Sequence, residues 1–285
     1  MSRDDALGDA REIALHGGTI RYRERGDGPP VVFVHGLLVH SGLWSGVVPG
    51  VAAAGFRCLS PDWPLGAHEV PVPGADLSPP GVAAMIAEFL ERLDLHDVTL
   101  VANDTGGALT QILMARSPER VGRVVLTSSD SFTRFFPAMF GYLPTLARVP
   151  GAVRVLVTAL RPRLLHRLPM TFGWLAKRPV DARRFLEPSR RDAGVRDDLR
   201  RFLRGVHRRH TLAAVDGLRR FPGPVLLAWS SEDRLFPLSD AYRLAEVLPD
   251  ATVVPVEDAF TFLPLDRPER LAELVIGFAG DRATS

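Results

Sequence analysis

Short apolar runs alternate with amphipathic stretches along most of the chain. Residues 12–24 alternate in polarity around Gly17 and Gly18, which predicts an opening β-hairpin. Six apolar runs predict further strands, at 31–34, 56–60, 98–102, 124–128, 224–230 and 252–257. Apolar residues at helical spacing predict helices at 79–94, 107–118, 238–248 and 267–279. This alternation is typical of an α/β protein with a mostly parallel sheet and helices on both faces.

The alternation stops between residues 131 and 221, where no run reads as a strand and prolines separate several helical pieces. We interpret this stretch as a helical cap, inserted into an α/β core that consists of residues 1–130 and 222–285. Ligands of open parallel sheets bind at the carboxyl ends of the strands. A cap in this position is therefore expected to cover the site.

Composition and charge exclude several classes of protein. The 285 residues are 46% hydrophobic and 24% charged, as in a globular protein with a sizeable core. The formal net charge is only +2, and aspartates interrupt the densest basic run at 190–209, so we expect no nucleic-acid partner. Cys58 is the single cysteine, which rules out an internal disulfide. Neither a signal segment nor an apolar stretch of about 20 residues is present, so we expect a cytoplasmic protein with no membrane partner.

The stretch "VTLVANDTGGALT", residues 98–110, ends an apolar run in Asn103 and Asp104 and continues into a helical pattern. A strand–turn–helix elbow holds a nucleophile at its apex and needs small residues on both sides of it. Residues 102–106 supply that spacing, with Asp104 where the motif usually has serine. An aspartate before a helix is also a common N-cap. The stretch alone leaves both interpretations open.

Two further loops are predicted to reach the same edge of the sheet. After the strand at 31–34, a backbone N–H at Leu37 can face the elbow and, with the N–H of Thr105, form an oxyanion hole. After the strand at 224–230, Asp233 lies in the loop "SSEDRLFP". The order of these elements favours Asp104 as a nucleophile over Asp104 as a helix cap.

In this order of elements, residues 12–279 resemble the α/β-hydrolase fold. The stretch "FVHGLLVHSGLW" is similar to its oxyanion segment, "LVANDTGGAL" to its elbow, "LLAWSSEDRLFP" to its acid loop and "DAFTFLPLDRPERLAELVIGF" to its C-terminal segment. The resemblance implies an eight-stranded, mostly parallel sheet with a helical cap. An aspartate at the apex resembles the branch of haloalkane dehalogenases and epoxide hydrolases. In that branch the carboxylate attacks a saturated carbon, and a water activated by a His–acid pair hydrolyses the resulting ester.

The C-terminal segment departs from the family pattern at the catalytic histidine. Thr261 stands in that place, and the last histidine of the chain is His210. A threonine hydroxyl lacks the basicity of imidazole near neutral pH. His68, in the loop after the strand at 56–60, is an alternative base, although a loop-stabilising role is favoured for it. Asp233, or a water held by His68 and Asp233, is a further alternative.

Other positions weaken an assignment within the branch. Thr105 follows the nucleophile where dehalogenases commonly have tryptophan, and the cap region contains only Tyr142 where epoxide hydrolases use two tyrosines. Asp130, just after the strand at 124–128, is either an alternative acid or the N-cap of the first cap helix.

The pocket is expected to be mainly apolar, since such sites carry few polar groups. Seven residues near the presumed site are predicted to belong to it: His35, Trp44, Trp63, Asp130, Phe135, Tyr142 and Phe262. This set favours a small or medium apolar substrate and no cofactor or metal.

Three functions remain open from the sequence. The first is a hydrolase that acts on an alkyl halide, epoxide or ester through Asp104. The second is a non-hydrolytic enzyme in which Asp104 is a general base for elimination, isomerisation or cyclisation. The third is a ligand-binding protein that has lost its chemistry. The presence of both Asp104 and Asp233 favours an enzyme.

Overall fold

One eight-stranded sheet forms the centre of the molecule. The computed structural model describes residues 3–280, and within them the strand order is β1-β2-β4-β3-β5-β6-β7-β8. The strands are β1 (Asp9–Leu15), β2 (Gly18–Arg25), β3 (Pro30–Val34), β4 (Arg57–Pro61), β5 (Val98–Asp104), β6 (Val121–Ser129), β7 (Val225–Ser230) and β8 (Ala251–Val256). The antiparallel pairs are β1–β2 and β2–β4, and all other neighbours run parallel. The predicted hairpin and mostly parallel sheet are confirmed.

Helices cover both faces of the sheet. They are α1 (Arg3–Leu7), α2 (Val48–Ala53), α3 (Pro79–Arg92), α4 (Thr105–Arg116), α5 (Leu143–Leu146), α6 (Ala152–Ala159), α7 (Arg183–Arg191), α8 (Ala193–Gly205), α9 (Arg209–Leu218), α10 (Leu238–Val247), α11 (Leu263–Asp266) and α12 (Pro268–Gly280). Short helical turns occur at Ser41–Trp44, Ala138–Phe140, Arg163–Arg167 and Pro169–Gly173. None of the helices in residues 3–280 combines the length and apolar character needed to cross a bilayer.

The central strands bury both of their faces, which explains why they read as unbroken apolar runs. Along β3, Val32 and Val34 pack into one hydrophobic cluster with residues of α3 and α4. Val31 and Phe33 pack into the opposite cluster with residues of α2 and α12. Cys58 in β4 is fully buried, and this burial raises the pKa of its thiol to about 12. The thiol is therefore part of the core.

The inserted segment lies between β6 and β7 and is helical, as predicted. Its last helix, α9, packs against the core helix α4, although the predicted cap range of 131–221 includes it. The approach is close, because a Cβ placed on Gly217 would lie 2.4 Å from Cβ of Ala115. We therefore propose that α9 belongs to the helical layer of the core and that α5–α8 are the cap helices within the predicted range.

A buried polar cluster fastens the cap helix α8 to the core. Oδ2 of Asp198 accepts hydrogen bonds from Nε2 of His68 at 3.0 Å and from the backbone N–H of Val72 at 2.8 Å. Its Oδ1 accepts from Arg201 at 2.5 Å. Burial works to raise the pKa of Asp198, but the hydrogen bonds from His68, Val72 and Arg201 hold it below its usual range. The cluster joins positions 130 residues apart in the chain.

Replacing Asp198 with alanine is expected to lower the free energy of unfolding by about 3 kcal/mol, because it leaves the buried donors of His68 and Val72 without an acceptor and removes the charge partner of Arg201. The neighbouring Asp197 is half-buried and pairs with Arg200 and Arg201 near the surface. Asp197→Ala is the matched control and should change the unfolding free energy by less than about 1 kcal/mol. Urea denaturation of both variants measures the difference. Equal losses would contradict a special role of the buried cluster.

Candidate active site

The elbow after β5 holds Asp104 in a strained conformation. Asp104 ends β5, α4 begins at Thr105, and the backbone of Asp104 has φ 55° and ψ −132°. A residue other than glycine adopts such angles only where its surroundings enforce them. Glycines give the elbow its space: a Cβ on Gly36 would lie 2.1 Å from Oδ2 of Asp104, and one on Gly106 would lie 2.3 Å from the carbonyl oxygen of Val34. The Asp104 side chain accepts no cap bond of the kind expected of a helix N-cap.

Two backbone N–H groups hold the Asp104 carboxyl. The N–H of Leu37, in the loop after β3, donates to Oδ2 of Asp104 at 3.2 Å. The N–H of Thr105, the first residue of α4, also acts on this carboxyl and lowers its pKa. Asp104 is 9% exposed, so little water competes for these donors. This is the arrangement predicted for an oxyanion hole formed by Leu37 and Thr105, with one carboxyl oxygen in the position of the anion.

Asp233 and Thr261 meet beside the elbow. Oδ1 of Asp233 accepts hydrogen bonds from the N–H groups of Leu235 and Phe236, at 2.8 and 2.9 Å. It also accepts one from Oγ1 of Thr261 at 3.1 Å. Oδ2 of Asp233 is buried and has no hydrogen-bond partner among the described residues. The loops after β7 and β8 thus bring this pair together from positions 28 residues apart.

Asn103 connects three parts of the site. The sequence pattern predicted no role for this residue. Its Nδ2 donates to Oγ1 of Thr127 at 2.7 Å and to the carbonyl oxygen of Thr261 at 2.6 Å. Asn103 is fully buried. It therefore ties the elbow to β6 and to the loop that carries Thr261. A polar residue at the end of an apolar run was the only available signal for it.

The three carboxyl groups of the site are all harder to ionise than usual. Burial raises the pKa of Asp104 to about 7; the N–H groups of Thr105 and Leu37 oppose this rise, and the charge of Asp233 adds to it. Burial raises the pKa of Asp233 to about 6, against the hydrogen bonds from Phe236 and Leu235. Burial and the charge of Asp104 raise the pKa of Asp130 well above its usual range. Asp104 and Asp233 therefore titrate near neutral pH, and burial opposes the ionisation of Asp130 as well.

Asp130 lies beside the elbow and outside the cavity. Its Oδ2 accepts a hydrogen bond from Oγ1 of Thr105 at 3.1 Å, and its backbone oxygen accepts one from Gln111 at 2.8 Å. The alternative role of N-cap for the first cap helix is wrong, because the first helical turn after β6 begins at Ala138. The backbone forms an isolated β-bridge between Ser131 and Arg134 instead. Asp130 therefore positions the side chain of Thr105 without contacting the cavity.

An apolar cavity opens above Asp104. Its volume is about 80 Å³, room for roughly three water molecules. It is lined by Leu37, Leu38, Asp104, Thr105, Phe136, Pro137, Phe140, Tyr142, Leu143, Leu156, Leu160, Thr171, Phe172, Leu175, Leu235 and Phe236. No histidine or tryptophan of the described chain belongs to this lining. Asp104 is the single ionisable carboxyl that reaches the cavity.

Of the seven predicted pocket residues, only Tyr142 lines the cavity. Trp44, Trp63 and Phe262 are fully buried in the two hydrophobic clusters, and Phe135 contributes to one of them. Their neighbours Phe136 and Phe172 face the cavity instead. Proximity along the chain was a poor guide, because adjacent residues point to different sides of an element.

His35 and His68 are also held away from the cavity. Nε2 of His35 accepts a hydrogen bond from the N–H of Trp63 at 2.8 Å, so Nδ1 carries the proton and donates to the carbonyl oxygen of Gly36 at 2.9 Å. Burial lowers the pKa of His35 to about 4, which keeps the ring neutral. His68 is engaged by Asp198, and no contact joins it to Asp104 or Asp233. Both histidines stabilise loops here, the role that the sequence favoured for His68.

The described residues contain no group of three or more His, Cys, Asp or Glu side chains arranged to hold a metal ion.

Comparisons with known proteins agree with this fold. A family model described as alpha/beta hydrolase fold matches residues 29–268. A haloalkane dehalogenase from Mesorhizobium japonicum is 39% identical over 111 residues, which cover 39% of this chain and 35% of that protein. Haloalkane dehalogenase 2 from Mycobacterium bovis is 28% identical over 268 residues and 91% of both chains. The solved structure of an epoxide hydrolase superimposes with a TM-score of 0.80 at 17% identity, covering 95% of this chain and 98% of that one.

Replacing Asp104 with asparagine is expected to stabilise the protein above neutral pH. The pKa of about 7 in the folded state exceeds the unfolded value near 4, so ionisation of Asp104 above pH 7 opposes folding. At pH 8 the variant should gain on the order of 4 kcal/mol in unfolding free energy, about 1.4 kcal/mol for each unit of pKa difference. The gain should shrink as the pH falls from 7 towards 4 and vanish below 4. Denaturation curves at pH 4, 6 and 8 test this, with Asp216→Asn at the exposed surface of α9 as the control. A gain independent of pH would contradict the argument.

Proposed function

The chain belongs to the α/β-hydrolase fold family, and from that premise we propose that it hydrolyses a small apolar electrophile through an ester of Asp104. The observation that carries this proposal is the Asp104 carboxyl at the apex of the elbow, with Oδ2 held by the N–H of Leu37 beneath an apolar cavity. With Oδ2 held there, Oδ1 is the oxygen that can attack. A carboxylate with few water contacts is a better nucleophile than a hydrated one.

The first step forms the ester. Oδ1 of Asp104 attacks a saturated carbon, and the bond from that carbon to its leaving atom breaks with its electron pair. A water then adds to the carboxyl carbon of the ester, and Oδ2 takes the negative charge while the N–H groups of Leu37 and Thr105 stabilise it. Collapse of this intermediate releases the alcohol and restores the carboxylate. The water must lose a proton in this step.

Asp233 is the group we propose to accept that proton. Its Oδ2 accepts no hydrogen bond among the described residues, but it is buried and does not line the cavity, so the attacking water would have to reach it past Asp104. The pKa of about 6 leaves most of Asp233 ionised at neutral pH. Thr261, in the place where the family has histidine, orients Asp233 through its hydroxyl and has no basicity of its own. A carboxylate of this pKa is a weaker base than a tuned imidazole. Hydrolysis of the ester should therefore be slower than its formation.

The cavity favours an epoxide over an alkyl halide as the electrophile. Tyr142 is in the lining, and we propose that its hydroxyl protonates the oxygen of an opening epoxide. No indole N–H of the described chain lines the cavity to hold a leaving halide. The relatives named above include both a haloalkane dehalogenase and an epoxide hydrolase, so the two substrates are compared directly in the test.

Incubation with 1,2-epoxybutane is expected to label Asp104, because the ester forms faster than it is hydrolysed. Intact-protein mass spectrometry detects the adduct, and peptide mapping locates it. Labelling by 1-bromobutane should be slower. Asp104→Asn should abolish labelling, and Asp130→Asn, which keeps the nucleophile, should retain it. Labelling of Asp104→Asn, or an unlabelled wild-type protein that turns over neither compound, would refute the covalent route.

Replacing Thr261 with histidine is expected to speed ester hydrolysis on the order of 100-fold, because it places an imidazole next to Asp233. The matched control is Thr261→Ser, which keeps a hydroxyl group and should hydrolyse the ester no faster than the wild type. The decay of the labelled protein in rapid-quench experiments gives the rate, and thermal melting establishes that both variants are folded. If the histidine variant is folded and the labelled protein decays at the wild-type rate, the lack of a base does not limit ester hydrolysis.

One observation favours a second candidate, a non-hydrolytic reaction in which Asp104 removes a proton. Its pKa of about 7 is close to the value that suits a general base at neutral pH. Turnover that Asp104→Asn abolishes, without any ester on Asp104, would favour this reaction. A tight ligand recovered unchanged would instead favour a binding protein.

A further inference from the structure

The cap contains a long stretch with no acidic residue. Residues 131–180 include no Asp or Glu and eight basic residues: Arg134, Arg148, Arg154, Arg161, Arg163, Arg167, Lys177 and Arg178. The rest of the chain has 27 Lys and Arg against 33 Asp and Glu. The positive charge of the protein is therefore concentrated in the part of the cap that borders the cavity.

Large exposed apolar side chains are concentrated in the same stretch. Seven large hydrophobic residues of the described chain are exposed, and five of them lie between positions 142 and 168. These five are Tyr142 at 38%, Val149 at 56%, Val155 at 68%, Leu164 at 77% and Leu168 at 47%. A cluster of exposed apolar residues marks an interaction surface, whereas scattered ones do not. We name the outer surface of residues 142–169 the cap face.

Helix α6 shows how the cap face relates to the cavity. Val153 and Val157 on its inner side are buried, and Leu156 and Leu160 line the cavity. Arg154 and Val155 on its outer side are exposed. Thr171 and Phe172, in the helical turn Pro169–Gly173 at the end of this segment, line the same cavity. The cap face is thus the roof of the cavity seen from outside.

Most arginines of the cap face are not neutralised by the protein. Arg163 pairs with Asp181 at 2.7 Å. Within residues 3–280, no ion pair or side-chain hydrogen bond engages Arg148, Arg154, Arg161 or Arg167, and all four are exposed. Their charges are available to a partner.

We propose that the cap face binds the surface of an anionic lipid bilayer. Arginine guanidinium groups can contact anionic headgroups while their own stems and the side chains of Val155 and Leu164 enter the apolar boundary below. A nucleic acid would match the charges but leave Val155 and Leu164 without an apolar partner. A second copy would bring two acid-free faces together, and their like charges would repel.

This binding is peripheral. The expectation of no membrane partner rested on the lack of a spanning stretch, and that reasoning does not address contact through one surface. Docking in this orientation would turn the roof of the cavity towards the lipid, where apolar compounds accumulate. Lipid binding requires no turnover, so its test is independent of the proposed reaction.

The test measures sedimentation of the full chain with vesicles. Vesicles of equal parts phosphatidylcholine and phosphatidylglycerol should retain the protein, and vesicles of phosphatidylcholine alone should retain far less. Retention should weaken as the salt concentration rises. Arg154→Gln combined with Arg161→Gln should lower the partition coefficient roughly 30-fold, at about 1 kcal/mol per arginine. Val155→Ser combined with Leu164→Ser should lower it as well.

The matched control changes two residues at α9 and its C-terminal end, in the helical layer of the core. Leu212 is 41% exposed and Arg219 is exposed, so Leu212→Ser with Arg219→Gln makes the same chemical change outside the cap face. This control should leave the partition coefficient unchanged. No retention on anionic vesicles, an equal loss in the control, or no effect of the Val155 and Leu164 changes would overturn the proposal. Concentration-dependent dimers that Leu164→Ser abolishes, with no vesicle binding, would assign the cap face to self-association instead.

Discussion

The backbone at Asp104 is the constraint around which the site is built. A strand must turn into a helix within one residue, and that residue is an aspartate with a positive φ. Such a conformation costs of order 1–3 kcal/mol and survives only where the neighbours leave no alternative. Gly36 and Gly106 remove the side chains that would collide with the turn, and Asn103 fixes the strand end against β6 and the Thr261 loop. The carboxyl is thereby delivered to the N–H of Leu37.

The same enclosure sets the electrostatics. Three carboxyl groups lie in a region that excludes water, and each resists ionisation mainly because of burial. Backbone N–H groups offset part of this cost at Asp104 and Asp233. Asp130 receives only the hydroxyl of Thr105. The two groups with backbone donors titrate near neutral pH, and Asp130, which lacks such donors, has little to offset the cost of its burial.

The order of strands, the elbow and the acid loop could be predicted from the sequence, because each has a local signature. Buried parallel strands are continuous apolar runs, and the elbow needs small residues next to its apex, as in residues 102–106. The contact between Thr261 and Asp233 was accessible only through the family resemblance. The pairing of His68 with Asp198 was not accessible at all, since it depends on how the cap folds back onto the core. The residues that line the cavity could not be predicted for a related reason. Trp44, Trp63 and Phe262 are aromatic like Phe136 and Phe172, and the two groups differ only in the direction in which their side chains pack.

The apolar walls around Asp104 also link ligand binding to proton uptake. An apolar ligand that fills the cavity removes the remaining water from a carboxyl whose pKa is already about 7. Its pKa must then rise further, so the complex takes up a proton over a range around neutral pH. By the same linkage, such a ligand binds more tightly as the pH falls, and the heat of binding depends on the buffer that supplies the proton. Binding of an apolar ligand and binding of a proton to Asp104 are therefore thermodynamically linked.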